Sequence, residues 1–136
     1  MRGNAKGLLF GHLEEFAKTT SGPDAYKKTV ASLEREDREI LEGLVLASGW
    51  YPVGTWNRAL DTYLKTYHSN PKKGMDAFSV LLGDRELTGL VKFVLKLGSP
   101  EFMLKRTNFL WNRYFDQGTF AAEEVAPKHF RLTLEG

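Results

Sequence analysis

The stretch PVGTWNRALDTYLKTYH, residues 52–68, has the clearest helical pattern in the chain. Its apolar residues recur every three or four positions and share one face of a helix, whereas Arg58, Asp61 and Lys65 fall on the other side. The pattern predicts an amphipathic helix that packs its apolar face against a core and ends near His68. That face consists of Val53, Trp56, Leu60, Tyr63, Leu64 and Tyr67.

Three shorter helices are predicted before this stretch. Apolar residues at helical spacing place the first helix in residues 7–18. The second covers residues 23–33, because a proline followed by an aspartate is a good helix start. Residues 34–42 are highly charged and predict a short surface helix whose charged side chains mostly face water.

The segment between these helices and Pro52 has a different pattern. Residues 44–51 show no helical period and lead directly into the proline, which favours extended backbone before it. We therefore expect an extended, buried connector in which Trp50 and Tyr51 are packing anchors.

Three further helices are predicted after the opening stretch. The first covers residues 75–82 and breaks at Gly83. Residues 86–97 are apolar on most of the helix circumference, so we expect them in the middle of the domain. A cap, a first-turn proline and an acid at residues 99–101 then start a helix that ends near Gly118.

The C-terminal residues have the pattern of strands. Residues 119–125 and 128–135 predict a β-hairpin, in which Phe130, Leu132 and Leu134 form one buried face. Two strands alone are marginally stable, so the hairpin must pack on helices, pair with a partner or belong to a truncated sheet. The predicted fold class is α+β and mostly helical, a single domain of residues 1–136 with about six to seven helices and a small C-terminal antiparallel hairpin or sheet.

Composition excludes several classes of function. The 136 residues contain no cysteine, which removes disulfides, thiolate nucleophiles and cysteine-based metal sites. The 19 basic and 17 acidic residues are spread along the chain, so we expect no nucleic-acid partner. No segment approaches the roughly 20 apolar residues of a membrane span, and the first ten residues do not resemble a secretory signal. We expect a cytoplasmic protein.

His12 is the main candidate for chemistry. It lies one turn from Leu9 and Phe16 on the apolar side of the first helix, where it could be a ligand, a titrating group or a hydrogen-bonded boundary residue. Together with Glu15 it could act as an acid/base pair in a small enzyme. The sequence has no metal-ligand spacing, nucleophile elbow or phosphate-binding loop, so we expect no metal and no other cofactor.

The aromatic residues offer a second possibility, a pocket for a flat apolar molecule, although their helical spacing favours core packing. The candidate pocket residues are His12, Trp56, Tyr63, Phe93, Phe102, Trp111 and Tyr114.

Several short pieces of the chain occur in the order found in a known family. These pieces are Arg2-Gly3 with Lys6–Phe10 and Leu13–Phe16, the Tyr51-Pro52 helix start, Phe93–Leu97 and the strand Phe130–Leu134. The chain thereby resembles the haem nitric oxide/oxygen binding (H-NOX) family and the related 4-vinyl-reductase-type domains. The resemblance implies a helical N-terminal lobe, a C-terminal sheet and a hydrophobic pocket between them, in which a helix histidine ligates haem iron.

The chain departs from this family where haem would bind. The matching helix start, Leu97–Met103, contains no histidine, and none occurs between His68 and His129. The family's Tyr-x-Ser-x-Arg propionate motif is also absent near Phe130–Glu135. Haem would lose both its axial bond and its anion clamp. The resemblance implies a longer sheet than the predicted hairpin supplies, so we expect a truncated sheet with a strand edge open for a partner.

These features favour a non-enzymatic, haem-free H-NOX-like sensory or protein-interaction domain in bacterial signalling, with an apolar pocket. A protein partner or a homodimer would use the C-terminal strand edge, and an apolar small molecule would use the pocket. Two alternatives stay open at this point. The first is a dimerising structural module that uses the strand edge, and the second is a small enzyme with His12 as its acid/base.

Overall fold

The computed structural model describes residues 3–86, 107–127 and 129–136, and within them the chain is α+β, as predicted. These residues form six helices and two antiparallel sheets of two strands each. None of the helices in this part of the chain has the length and apolar character needed to cross a membrane. In chain order the elements are β1 Asn4–Lys6, α1 Gly7–Ser21, α2 Ala25–Ser32, α3 Arg35–Glu42, β2 Trp50–Pro52, α4 Val53–Tyr67, α5 Pro71–Glu86, α6 Thr107–Tyr114, β3 Thr119–Ala126 and β4 His129–Glu135.

Aromatic side chains of α1, α4 and α5 form the centre of the core. Phe10 of α1 meets Trp56 of α4 edge to face at 5.2 Å between ring centroids. Phe16 lies 5.4 Å from the ring of Phe78 on α5, which is fully buried. The apolar stripe predicted for residues 52–68 is thus confirmed as a core-facing surface, because Tyr63 of α4 is also fully buried.

Helix α5 is longer than the sequence pattern indicates. It begins at Pro71, where Asn70 accepts a hydrogen bond from the Lys73 backbone N–H through its side chain. A side-chain cap followed by a first-turn proline is a strong helix start, so the predicted start at residue 75 is wrong. The predicted break at Gly83 is also wrong, because the helix continues to Glu86.

The later predicted helices fall largely outside the described residues. This applies to residues 87–97 of one helix and to residues 100–106 of the next. Glu86, predicted to start the first of them, lies within α5. The second ends at Tyr114 rather than near Gly118, because Phe115 forms a bridge with Ala5 of β1.

The connector before α4 is exposed rather than buried. Leu44 is 82% exposed, and Leu46 and Trp50 also face solvent, whereas Tyr51 packs against Phe10. The main chain of the connector is held instead, because its carbonyls accept hydrogen bonds from the first N–H groups of α1. The backbone of the connector therefore caps the start of α1. An apolar sequence pattern does not predict such a role.

A strand that the sequence pattern missed connects the start of the chain to the segments before α4 and after α6. Strand β1 pairs antiparallel with β2, with Ala5 opposite Tyr51. Asn4 binds Asp116 beyond α6, through a side-chain hydrogen bond of 2.7 Å. Because β1 pairs with β2 on one side and contacts Phe115 and Asp116 on the other, it holds the end of α6 close to the start of α4.

The C-terminal hairpin is confirmed, but its apolar face is not buried. Strands β3 and β4 pair antiparallel with Phe120 opposite Leu134. Leu132 and Leu134 are 51% and 50% exposed, whereas Phe120 stacks on Trp111 of α6. Alternation of polar and apolar residues shows which side chains share a face, but not whether another element covers that face.

Candidate functional site

A cleft of about 830 Å³ lies between α1, α2 and the segment that follows α3. Its apolar surface includes Phe10, Tyr26, Val30 and Leu41, which belong to the hydrophobic core. Charged side chains of both signs surround this surface. They are Glu14, Lys18, Asp24, Lys27 and Glu42.

His12 lines this cleft and connects it to α5. Its Nε2 lies 3.0 Å from Oε2 of Glu86, and the two side chains are only 17% and 16% exposed. Helix α1 places His12 on its inner side through the spacing from Leu9 and Phe16, as predicted. The partner is 74 residues away in sequence, so no local pattern could have identified Glu86.

Glu86 is the centre of a small hydrogen-bonded group. The hydroxyl of Tyr114 on α6 donates to its Oε1 at 2.8 Å, and Nε of Arg113 lies 3.8 Å from the same oxygen. Burial alone would raise the pKa of Glu86, but the hydrogen bonds from His12 and Tyr114 hold it below its usual value. Glu86 therefore stays a carboxylate, which can only accept, and the His12 Nε2–H donates to it.

The hydroxyl of Tyr114 keeps its proton and therefore donates the hydrogen bond to Glu86. Burial, followed by the hydrogen bond to the Glu86 carboxylate, raises the pKa of Tyr114 to about 12. The phenol stays protonated at neutral pH for this reason. The three side chains of this group, His12, Glu86 and Tyr114, thus tie α1, α5 and α6 together across the domain.

The acid/base pair expected between His12 and Glu15 has a different geometry. Glu15 accepts hydrogen bonds from the guanidinium of Arg85, one residue before Glu86. Helices α1 and α5 are therefore joined by two adjacent polar contacts, Glu15 with Arg85 and His12 with Glu86. A histidine oriented by a carboxylate can act as a base, but its site also needs a reacting group or nucleophile beside it.

The aromatic pocket candidates occupy separate places. Trp56 and Tyr63 fill the core, where the Tyr63 hydroxyl lies 2.7 Å from Oγ of Ser21. Tyr114 binds Glu86 rather than lining the cleft. Two of the candidates, Phe93 and Phe102, lie outside the described residues.

Trp111 lines a second cleft of about 730 Å³ between β1, the start of α4 and the hairpin. Its ring stacks on Phe115 at 4.4 Å, and its indole N–H donates to the Gln117 carbonyl. The described residues that line this cleft carry no charged side chain. Gly118 has a φ of 88° here and lies so close to Trp111 that a Cβ would meet its Nε1 at 3.2 Å.

The histidines of the described residues do not suit haem ligation. His12 has its Nε2 on Glu86, and His68 stacks on Phe16 with its Nε2 3.2 Å from the Tyr63 hydroxyl. His129 lies on the exposed hairpin. Across residues 3–86, 107–127 and 129–136 no three acidic or histidine side chains come close enough to hold a metal ion.

Comparison of the chain with protein-family models, with curated proteins and with solved structures gives no match.

Proposed function

We propose that this chain is a non-enzymatic, haem-free sensory domain of H-NOX-like type that binds a small, mostly apolar molecule in the first cleft. The observation that carries the proposal is that His12 belongs to two parts of the structure at once. It is part of the cleft wall and, through Glu86 and Tyr114, part of the contact between α1, α5 and α6. A molecule that displaces His12 thereby changes a contact between helices outside the cleft.

The cleft itself indicates the chemistry of the molecule. Its volume of about 830 Å³ lies in the range typical of small-molecule sites, and its floor is apolar. Three acidic and two lysine side chains surround it, so neither sign of charge dominates. A neutral molecule with a large apolar part fits this surface better than an anion such as a phosphate ester.

Release of His12 is the step that would carry a signal. Glu86 is only 16% exposed, and a buried carboxylate that loses a hydrogen bond becomes less stable in its site. The carboxylate would then move towards solvent or towards Arg113, and its hydrogen bond from Tyr114 would weaken. In this way ligand binding at α1 and α2 loosens α6 from α5.

Gly11 allows the cleft to be blocked without disturbing the core. It lines the cleft, and no described atom lies within 4 Å of a Cβ built there. In Gly11→Phe the ring would occupy space in the cleft. With the neutral fluorophore N-phenyl-1-naphthylamine as probe, we expect saturable binding to the wild type and a loss of about ten-fold or more in affinity for the variant.

Gly83→Phe is the matched control, because Gly83 also lies in a helix with no described atom within 4 Å of its Cβ but does not line the cleft. We expect it to bind the probe as the wild type does. Equal binding by Gly11→Phe, or no saturable binding by the wild type, would contradict the proposed cleft. Native mass spectrometry of the purified protein would show any molecule that stays bound.

Hydrogen exchange tests the signalling step separately. Amides of residues 107–116 should exchange faster when the probe saturates the wild type, because α6 loses part of its contact with α5. In Tyr114→Phe, which lacks the donating hydroxyl, the unliganded protein should already exchange faster there. Unchanged exchange on probe binding would mean that the cleft binds without affecting α6.

Addition of haemin tests the haem-free part of the proposal. We expect no stoichiometric complex with a defined Soret band, because His12 and His68 both use Nε2 in hydrogen bonds. A tight complex with one haem per chain would overturn it.

The hairpin favours a second candidate function, a dimerising structural module. The half-exposed Leu132 and Leu134 on a two-stranded sheet are the observation behind it, since such a sheet is stabilised by further strands. Sedimentation should show a wild-type dimer and a monomeric Leu132→Pro variant, whose proline removes one backbone N–H from β4. A monomeric wild type would refute this candidate.

A further inference from the structure

The two strands of the hairpin differ in how well they could accept another strand. Within the described residues β3 and β4 pair only with each other, so each has an outer edge. Strand β3 has an irregularity between Glu124 and Ala126, and its only charged residues are two glutamates. Bulges and like charges are common devices against edge pairing. Strand β4 has a regular register opposite β3 up to Phe130 and carries both an arginine and a glutamate.

We propose that two copies of this chain pair β4 with β4, antiparallel, about a two-fold axis at Thr133. Arg131 of one copy then lies opposite Glu135 of the other, and Leu132 lies opposite Leu134. The inference rests on the dimerising module proposed above and adds the strand, the register and the residues that select it. The product is a continuous sheet of four strands with both β3 strands outside.

The charges of β4 select this register among its neighbours. An axis at Arg131 would place the two arginines opposite each other, which is destabilising. An axis at Leu132 would pair Arg131 with Thr133, leaving only His129 opposite Glu135. The axis at Thr133 forms two arginine–glutamate pairs at once, because the symmetry repeats each contact.

The apolar face of the hairpin favours the same register. Residues directly opposite each other in an antiparallel pair lie on the same face of the sheet. Leu132 and Leu134 of both copies would therefore form one apolar strip beside Phe120, on the face where Trp111 already packs. Arg131 and Glu135 would lie on the other face. Among the described residues of one chain, Arg131 has a long, exposed contact of 4.0 Å with Glu123, so the pairing demands little rearrangement.

Reversing one charge at a time tests the register. Arg131→Glu places glutamate opposite glutamate in a homodimer, and Glu135→Arg places arginine opposite arginine. We expect each variant to dimerise about ten-fold more weakly than the wild type in sedimentation velocity. When the two variants are mixed, every cross-copy pair is of opposite charge, so a heterodimer should form with wild-type affinity.

The mixture also separates a register effect from a folding defect, because two misfolded variants would not restore each other. Glu123→Arg serves as the control, since it disturbs the contact with Arg131 inside one hairpin but lies on β3, and it should stay dimeric. A wild-type dimer whose single variants still dimerise, or whose mixture gives no heterodimer by native mass spectrometry, would overturn the register alone. A monomeric wild type would overturn the dimerising module as well.

Discussion

Asp37 shows how one residue can depart from the pattern of its segment. It belongs to the charged helix α3, whose side chains were predicted mostly to face water, yet its side chain is only 1% exposed. Two hydrogen bonds from Arg58 and one from Thr55, both on α4, satisfy its oxygens. The hydrogen bonds from Arg58 hold the pKa of Asp37 below its usual value despite burial. Arg58, on the exposed side of α4, therefore holds α3 against α4 through Asp37.

Asp37→Asn should destabilise the protein by about 2 kcal/mol, because charge-assisted hydrogen bonds are lost while the buried volume stays the same. Arg58 is over half exposed and can return to water, which keeps the loss below that of a fully buried pair. Urea unfolding at neutral pH measures the change.

Glu39→Gln gives the matched control on the same helix. Glu39 also binds an arginine, Arg35, but both side chains are well exposed. Its loss should change the free energy of unfolding by about 0.5 kcal/mol or less. Equal effects of the two substitutions would show that burial of Asp37 does not matter.

At the scale of elements, the start of α1 depends on the connector. The N–H groups of Gly7 and Leu8 donate to the carbonyls of Gly49 and Ala47, at 2.9 and 3.0 Å. A side-chain cap is absent at this start, so the connector backbone does the capping. The close approach requires a glycine, because a Cβ at Gly7 would overlap the Leu46 carbonyl oxygen.

Gly7→Ala should therefore destabilise the protein by roughly 1–3 kcal/mol, since a backbone atom cannot move aside as a flexible side chain could. Gly11→Ala, in the same helix but with open space around the new methyl group, should stabilise it by about 1 kcal/mol. Thermal unfolding of both variants gives the comparison. A stabilising Gly7→Ala would mean that the connector does not hold α1 in this way.

In the molecule taken together, polar contacts join distant elements in addition to the shared hydrophobic core. Four carboxyl groups that take part in them have pKa values below their usual values, because the hydrogen bonds that they accept outweigh the effect of burial. They are Glu15, Asp37, Glu86 and Asp116. Their partners lie on other elements, so the same carboxylates hold α1, α3, α5 and β1 in place.

These lowered pKa values predict the sign of the pH dependence. The unfolded groups titrate near 3.8 and 4.5, so the carboxylates stabilise the fold fully above that range. The stability is lost progressively as the pH falls through the lower values of the folded state. The urea midpoint should be constant between pH 7 and about 5 and should fall steeply below 4. A urea midpoint that stays constant down to pH 2.5 would show that these carboxylate contacts do not stabilise the fold.

Local patterns are enough to predict the helices between residues 7 and 67 and the C-terminal hairpin, because their periodicity and end signals lie within each segment. It also placed His12 on the inner side of α1. Asn70 and Pro71 also form a local signal for the start of α5. The apolar spacing after them favours a later start, at residue 75, so the signal was missed.

Which side chains are covered and which distant groups meet depends on how the elements pack, and no local pattern predicts it. Glu86 meets His12 across 74 positions and Tyr114 meets Glu86 across 28, while Asp37 is buried against residues of α4. Leu44 and Leu132 face solvent although the sequence pattern predicts a buried place for both. Periodicity fixes the direction of a side chain within its own element, whereas burial depends on what packs against that element, and for these residues the packing comes from distant parts of the chain.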